Sequence, residues 1–97
     1  MDLIEAHGAV NAPVVEAMAK GVKKLSGSSI GVGISGIAGP TGGTAEKPVG
    51  TVFVGIDGDD FETISREFHF HGNREEIKLV TVLNTLYMIR QILLNNV

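Results

Sequence analysis

Between two apolar runs the chain reads Gly33-Ile34-Ser35-Gly36-Ile37-Ala38-Gly39-Pro40-Thr41-Gly42-Gly43-Thr44-Ala45-Glu46-Lys47-Pro48-Val49-Gly50. So dense a mixture of glycine, proline and hydroxyl side chains reads as a rigid loop exposing backbone N–H groups at strand ends. Such a loop is a good anion cradle. The same composition also suits a long glycine hairpin whose residues only meet unusual φ/ψ demands, because glycine is needed in both cases. Just before it, Ile30, Val32 and Ile34 alternate with Gly31, Gly33 and Ser35. This strand has one bulky, branched face and one nearly bare face. Something must approach the bare face closely, either a helix backbone or a ligand.

The flanking segments carry clearer signals. Asn11 is a good N-cap, Pro13 fits a first helical turn, and Glu16 lies near the positive end of the macrodipole. Val14, Met18, Val22 and Leu25 form an apolar stripe at helical spacing, with Lys20, Lys23 and Lys24 on or beside the other face. Ser26-Gly27 ends that helix. Val49 to Ile56 is apolar on both faces apart from Gly50, Thr51 and Gly55, as expected of a central strand covered on two sides. After the turn Asp57-Gly58-Asp59-Asp60, Phe61 to Phe70 alternates. Ile64, Phe68 and Phe70 share one face; Thr63, Ser65, Glu67 and His69 share the wetter one. The short turn makes this pair an antiparallel hairpin. Asn73 is placed to cap a last helix with Glu75 and Glu76 in its first turn, and its broad apolar face predicts a mostly buried helix.

The fold class is therefore α/β in a single domain over 1–97, with about three strands and two main helices. Strand 30–35 looks internal, yet few strands are available to flank it, and an unpaired row of N–H and C=O groups is a liability. Another subunit or a further part of the module is expected there.

Composition excludes several functions. A formal charge of −3 without a basic block argues against nucleic acid as a partner. The lack of cysteine removes disulfides, thiolate metal sites and a cysteine nucleophile. The first residues look like no targeting signal, and no run approaches membrane-spanning length, so a soluble, cytoplasmic protein without membrane contact is expected.

Candidate chemistry centres on the glycine loop. Gly31-Val32-Gly33-Ile34-Ser35-Gly36 matches the dinucleotide pattern G-x-G-x-x-G, with Asp57 about twenty residues on. Those glycines, however, lie within the predicted strand, and no helix opening follows. Lys47 lacks the neighbours of a phosphate-loop lysine. Backbone N–H groups of 36–44, aided by Ser35, Thr41 and Thr44, could hold phosphate or carboxylate. Lys47 serves equally as a ligand cation or a solvated lysine. Arg74 could grip an anion bidentately or make an ordinary salt bridge to Glu75, Glu46 or the aspartate turn. His69 and His71 share a face but lack a third metal ligand. Ser35 ends a strand before a glycine turn, without a nucleophile elbow. Tyr87 belongs to the apolar helical face and reads as core.

The ordered motif Ser35-Gly36-Ile37-Ala38-Gly39-Pro40, Gly42-Gly43-Thr44 and Glu46-Lys47-Pro48-Val49-Gly50-Thr51-Val52 resembles the C-terminal module of the CinA family of competence and damage-inducible proteins. His7-Gly8-Ala9-Val10 and Phe70-x-Gly72-x-Arg74 extend the resemblance. It implies a three-layer α/β/α module with a mixed sheet, and hydrolysis of nicotinamide mononucleotide to nicotinic acid mononucleotide and ammonia. It also implies a substrate and phosphate site at Ser35, Gly36, Gly39, Gly42, Gly43, Thr44, Lys47 and Arg74; Ser35 stands where threonine is common. The family's Glu-Ser-Cys-Thr-Gly-Gly-like segment, whose serine is the nucleophile, and its Asn-x-x-Lys-like stretch are not matched here. The expectation is an N-terminally truncated module that holds the phosphate side of an amidase site, has Ser35 and Arg74 as supporting polar groups, and is inactive alone. Its expected partners are a pyridine mononucleotide or another phosphate-bearing small molecule, and a second copy or complementing N-terminal fragment. Neither cofactor nor metal is implied.

Overall fold

The computed structural model describes residues 11–36 and 50–95. Helix α1 spans Ala12–Ser26, strand β1 Ile30–Gly36, β2 Thr51–Gly58, β3 Phe61–His69, and helix α2 Arg74–Asn95. The strands form one sheet in the order β1-β2-β3. α1 covers one face and α2 the other, giving the expected α/β/α layers. Both ladders are antiparallel, so the mixed sheet implied by the resemblance does not form among the described residues. Short returns permit only antiparallel neighbours, and the β2–β3 turn is one of these.

β2 is central. Every residue of it except Asp57 is buried, and Val52, Val54 and Ile56 join Ile77 and Met88 in the core against α2. The opposite face of the sheet shows why β1 carries glycines. A Cβ at Gly31 would collide with the Ala19 carbonyl oxygen, one at Gly33 with the Val15 carbonyl oxygen, and one at Gly55 would lie 2.6 Å from Val15 backbone atoms. The bare face is occupied by a helix backbone, not a ligand.

The helix ends follow the sequence signals. Asn11 Oδ1 accepts from Val14 N at 2.9 Å, and Gly27 closes α1 in the left-handed region at φ 68°. At α2, Glu76 N donates to Asn73 Oδ1 and Asn73 N donates to Glu76 Oε1, both at 2.9 Å, a reciprocal capping box.

Three expectations are corrected. The buried stripe of α1 is Val14, Val15 and Ala19, whereas Met18, Val22 and Leu25 are exposed. Against a glycine surface the closest contact goes to the helix backbone and its smallest side chains, so the larger residues are turned outward. Lys23 lies on the inner flank, bonded to Asp57 and Asp59, away from the solvent face. α2 is not mostly buried. Ile77, Thr81, Thr85 and Met88 are buried and Ile89 and Ile92 are partly so, while Leu79, Val82, Leu83, Leu86, Tyr87, Leu93 and Leu94 are exposed. Tyr87, read as core, is 57% exposed. Thr81 and Thr85 lie within the contact because each hydroxyl donates at 2.7 Å to the carbonyl four residues earlier, so neither is left unmet.

The expectation that no run approaches spanning length is also corrected. By length and composition alone α2 could cross a membrane, with 22 residues and a mean hydropathy of 1.4. A core helix passes the same test, and here α2 lies on the sheet.

Candidate functional site

The site is set by the direction of the two helices. Val15 packs over Gly33 and Ala19 over Gly31, so α1 runs antiparallel to β1 and begins at the Ser35 end. α2 starts at the same end of the sheet, where Ile77 joins Val52 and lines a groove with Gly36. The glycine loop leaves β1 and rejoins the chain before β2 here. Both helix N-termini, which carry partial positive charge, therefore point toward that end.

Ser35 and Gly36 are neighbours on β1 but lie on opposite faces. Ser35 is half-buried on the α1 side and faces Phe53 across the ladder; Gly36 faces Val52 on the α2 side. A groove of about 330 Å³ lies beside Gly36, lined also by Ile34, Val52, Ile77, Lys78, Thr81 and Val82. Arg74 opens α2 one turn before Lys78. It is exposed and makes no ion pair among the described residues, so neither Glu75 nor the aspartate turn holds it. Gly39, Gly42, Gly43, Thr44 and Lys47 lie outside the described residues, as does Glu46. The structure thus brings Ser35, Gly36 and Arg74 to one end of the sheet, with Ser35 on the far side from the groove.

The sequence reading did not single out Lys78. The signal was available, because a residue four beyond Arg74 lies on the same helix face. Its Nζ is 3.8 Å from Glu75 Oε1, an exposed pair that holds it weakly. Glu76 is engaged by the capping box, which leaves Arg74 without a carboxylate partner among the described residues.

On the α1 side, His69 Nε2 lies 2.7 Å from Glu67 Oε2, and His69 Nδ1 lies 3.4 Å from Thr51 Oγ1. His69 is thus committed to neighbours in the sheet. Among the described residues no group of three or more histidine or carboxylate side chains could hold a metal. Of the G-x-G-x-x-G glycines, Gly31 and Gly33 lie inside β1, where they accommodate α1, and Gly36 ends the strand against Thr51 and Val52, so the dinucleotide geometry is absent.

The far end of the sheet is electrostatic in a structural way. Lys23 Nζ lies 2.7 Å from Asp59 Oδ1 and 3.5 Å from Asp57 Oδ2, and Thr63 Oγ1 donates to Asp57 Oδ1 at 2.7 Å. The Thr63 hydrogen bond, with Lys23 adding to it, holds the Asp57 carboxyl below its ordinary range. The Asp59 hydrogen bond foremost holds Lys23 above its own.

Known proteins identify this architecture. The sequence profile described as the CinA C-terminal domain matches residues 1–93. The CinA-like protein of Geotalea daltonii is 49% identical over 92 residues, which cover 95% of this chain and 22% of that protein. The CinA-like protein of Thermotoga maritima is 46% identical over 92 residues, again 95% of this chain and 22% of that protein. Among solved structures, the competence/damage inducible protein of Agrobacterium tumefaciens superposes with a TM-score of 0.86 at 35% identity, covering 91% of this chain and 54% of that one. A CinA superfamily protein of Klebsiella pneumoniae gives 0.88 at 28% identity, covering 95% and 57%. The chain spans about a fifth of these curated relatives and about half of the solved ones. With a profile match over nearly its whole length, the chain belongs to the CinA C-terminal domain family.

Proposed function

We propose that this chain is the phosphate-side part of a pyridine-mononucleotide site, related to nicotinamide mononucleotide deamidases. A mononucleotide phosphate binds at the end of the sheet, where Arg74 opens α2 and the glycine loop joins β1 to β2. The observation that carries the reading is Arg74, an exposed guanidinium beside a helix N-terminus with no carboxylate partner among the described residues. A guanidinium in such a position suits bidentate phosphate binding, and the helix end adds a favourable dipole. Hydrolysis of the amide also needs an activated nucleophile and oxyanion donors. These 97 residues supply no serine in the family's nucleophile context, so they bind without turning over unless another segment or chain provides it.

The test pairs calorimetric titration of nicotinamide mononucleotide with an ammonia-release assay. Binding is expected, with no appreciable ammonia. Arg74→Ala should weaken binding about tenfold or more, matching roughly 1.5–3 kcal/mol for a hydrogen bond to a charged group. Ordinary turnover abolished by Ser35→Ala would replace this reading with one in which Ser35 is the nucleophile. Absence of binding to the intact chain would remove it altogether.

A further inference from the structure

We propose that His69 is a positioning residue for the phosphate: it clamps the exit of the glycine loop to the segment that delivers Arg74, so that loop and guanidinium keep one geometry. The inference rests on the mononucleotide reading above and names what holds that site in shape.

Strand β3 ends at His69 and α2 begins at Arg74, so the short link Phe70-His71-Gly72-Asn73 carries the chain from the sheet to the helix on its α2 face. Both ends of this link are fastened. At the α2 end the capping box joins Asn73 to Glu76 through two hydrogen bonds of 2.9 Å. At the β3 end the ladder closes with Thr51 opposite His69, and one step further Phe70 N donates to the Gly50 carbonyl at 2.9 Å. Gly50 has φ 96°, and a Cβ there would strike the Phe70 carbonyl oxygen. Gly50, where the glycine loop rejoins the sheet, thus lies backbone to backbone against the residue that follows His69.

The His69 ring locks that contact from the α1 side. Its Nε2 lies 2.7 Å from Glu67 Oε2 and its Nδ1 3.4 Å from Thr51 Oγ1. An ionised carboxylate only accepts, so Nε2 carries the hydrogen. In the neutral ring Nδ1 is then an acceptor, and the Thr51 hydroxyl donates to it. Thr51 is fully buried, and this nitrogen is the one partner of its hydroxyl among the described residues. Were the ring to leave, a buried hydroxyl beside the loop exit would lose its bond, a costly arrangement. His69 therefore ties Gly50 and Thr51 to Phe70, and the capped link ties Phe70 to Arg74. The clamp acts without touching the phosphate. A loop and a guanidinium already at their bound spacing lose less freedom when the anion arrives, which is preorganisation.

Calorimetric titration of the full chain with nicotinamide mononucleotide tests this, each variant first shown to be folded by its urea midpoint. His69→Ala should raise the Kd about fivefold, the size expected when one held group is set loose. His69→Asn, whose amide oxygen stands near the Nδ1 position and can accept from Thr51, should restore most of that loss. His69→Gln reaches toward Glu67 instead and should not. In an Arg74→Ala background, adding His69→Ala should change the Kd by less than about twofold, because the guanidinium it positions is gone. Parent-like binding by His69→Ala, with Arg74→Ala impaired, overturns this inference and leaves the mononucleotide reading standing. Fully additive losses overturn it too, since His69 would then act independently of Arg74. Should His69→Ala not fold, equal affinities of the Asn and Gln variants overturn it. Absence of binding by the intact chain removes both.

Discussion

At Gly33 a hydrogen atom stands where any other residue would place a carbon 2.7 Å from Met18 Cβ, besides striking the Val15 carbonyl. Valine is a good strand residue, but here it would lift α1 from the sheet. Gly33→Val should therefore destabilise the fold by about 3 kcal/mol in urea unfolding, the upper end of overpacking costs. Gly21 lies in the same helix with nothing within 4 Å of an added Cβ. Gly21→Ala should instead stabilise by about 0.5–1 kcal/mol, since only the helical preference changes. Asp57 and Lys23 give a second residue-scale expectation. Asp57 is depressed in the fold, so its contribution is present above the ordinary carboxylate value near pH 4 and lost as pH falls through the folded value. Lys23 is raised, so its contribution is present below about pH 10.4 and lost as pH climbs through its folded value. Unfolding measured across pH should show Asp57→Asn with a shallower acid limb than the parent chain.

At the scale of the elements, the caps are local chemistry and were readable as such. Asn11, Gly27 and Asn73 act on atoms within three or four residues of themselves, so the sequence already contains both partners. Asn73→Ala should cost about 1 kcal/mol of stability, seen as a lowered urea midpoint with unchanged slope. The β2–β3 hairpin was equally legible, because its alternation and short turn leave one pairing. Burial of the helix faces was not. The period of α1 identifies an apolar stripe at Met18, Val22 and Leu25, yet Val15 and Ala19 take the contact because the opposing surface is glycine. For α2, apolar residues occur around most of the helix, so no period could select the stripe Ile77, Thr81, Thr85 and Met88.

At the scale of the whole molecule, the arrangement of layers decides what the residues can do together. The candidate site was legible as a list, in Ser35, Gly36 and Arg74, because the motif is continuous or nearly so along the chain. Their division between two faces was not, since Ser35 and Gly36 separate only once β1 is fixed between α1 and α2. Lys78 gained relevance only when the groove beside Gly36 appeared. By itself the sequence determined the helix ends, the hairpin, the family and the need for something close against Gly31 and Gly33. These depend on short-range hydrogen bonding, periodicity and the space a side chain occupies. Only the tertiary structure decided that a helix backbone fills that space, which apolar residues remain uncovered, and which cations share an end of the sheet. Those outcomes depend on distances between segments far apart in the chain, and no local pattern contains them.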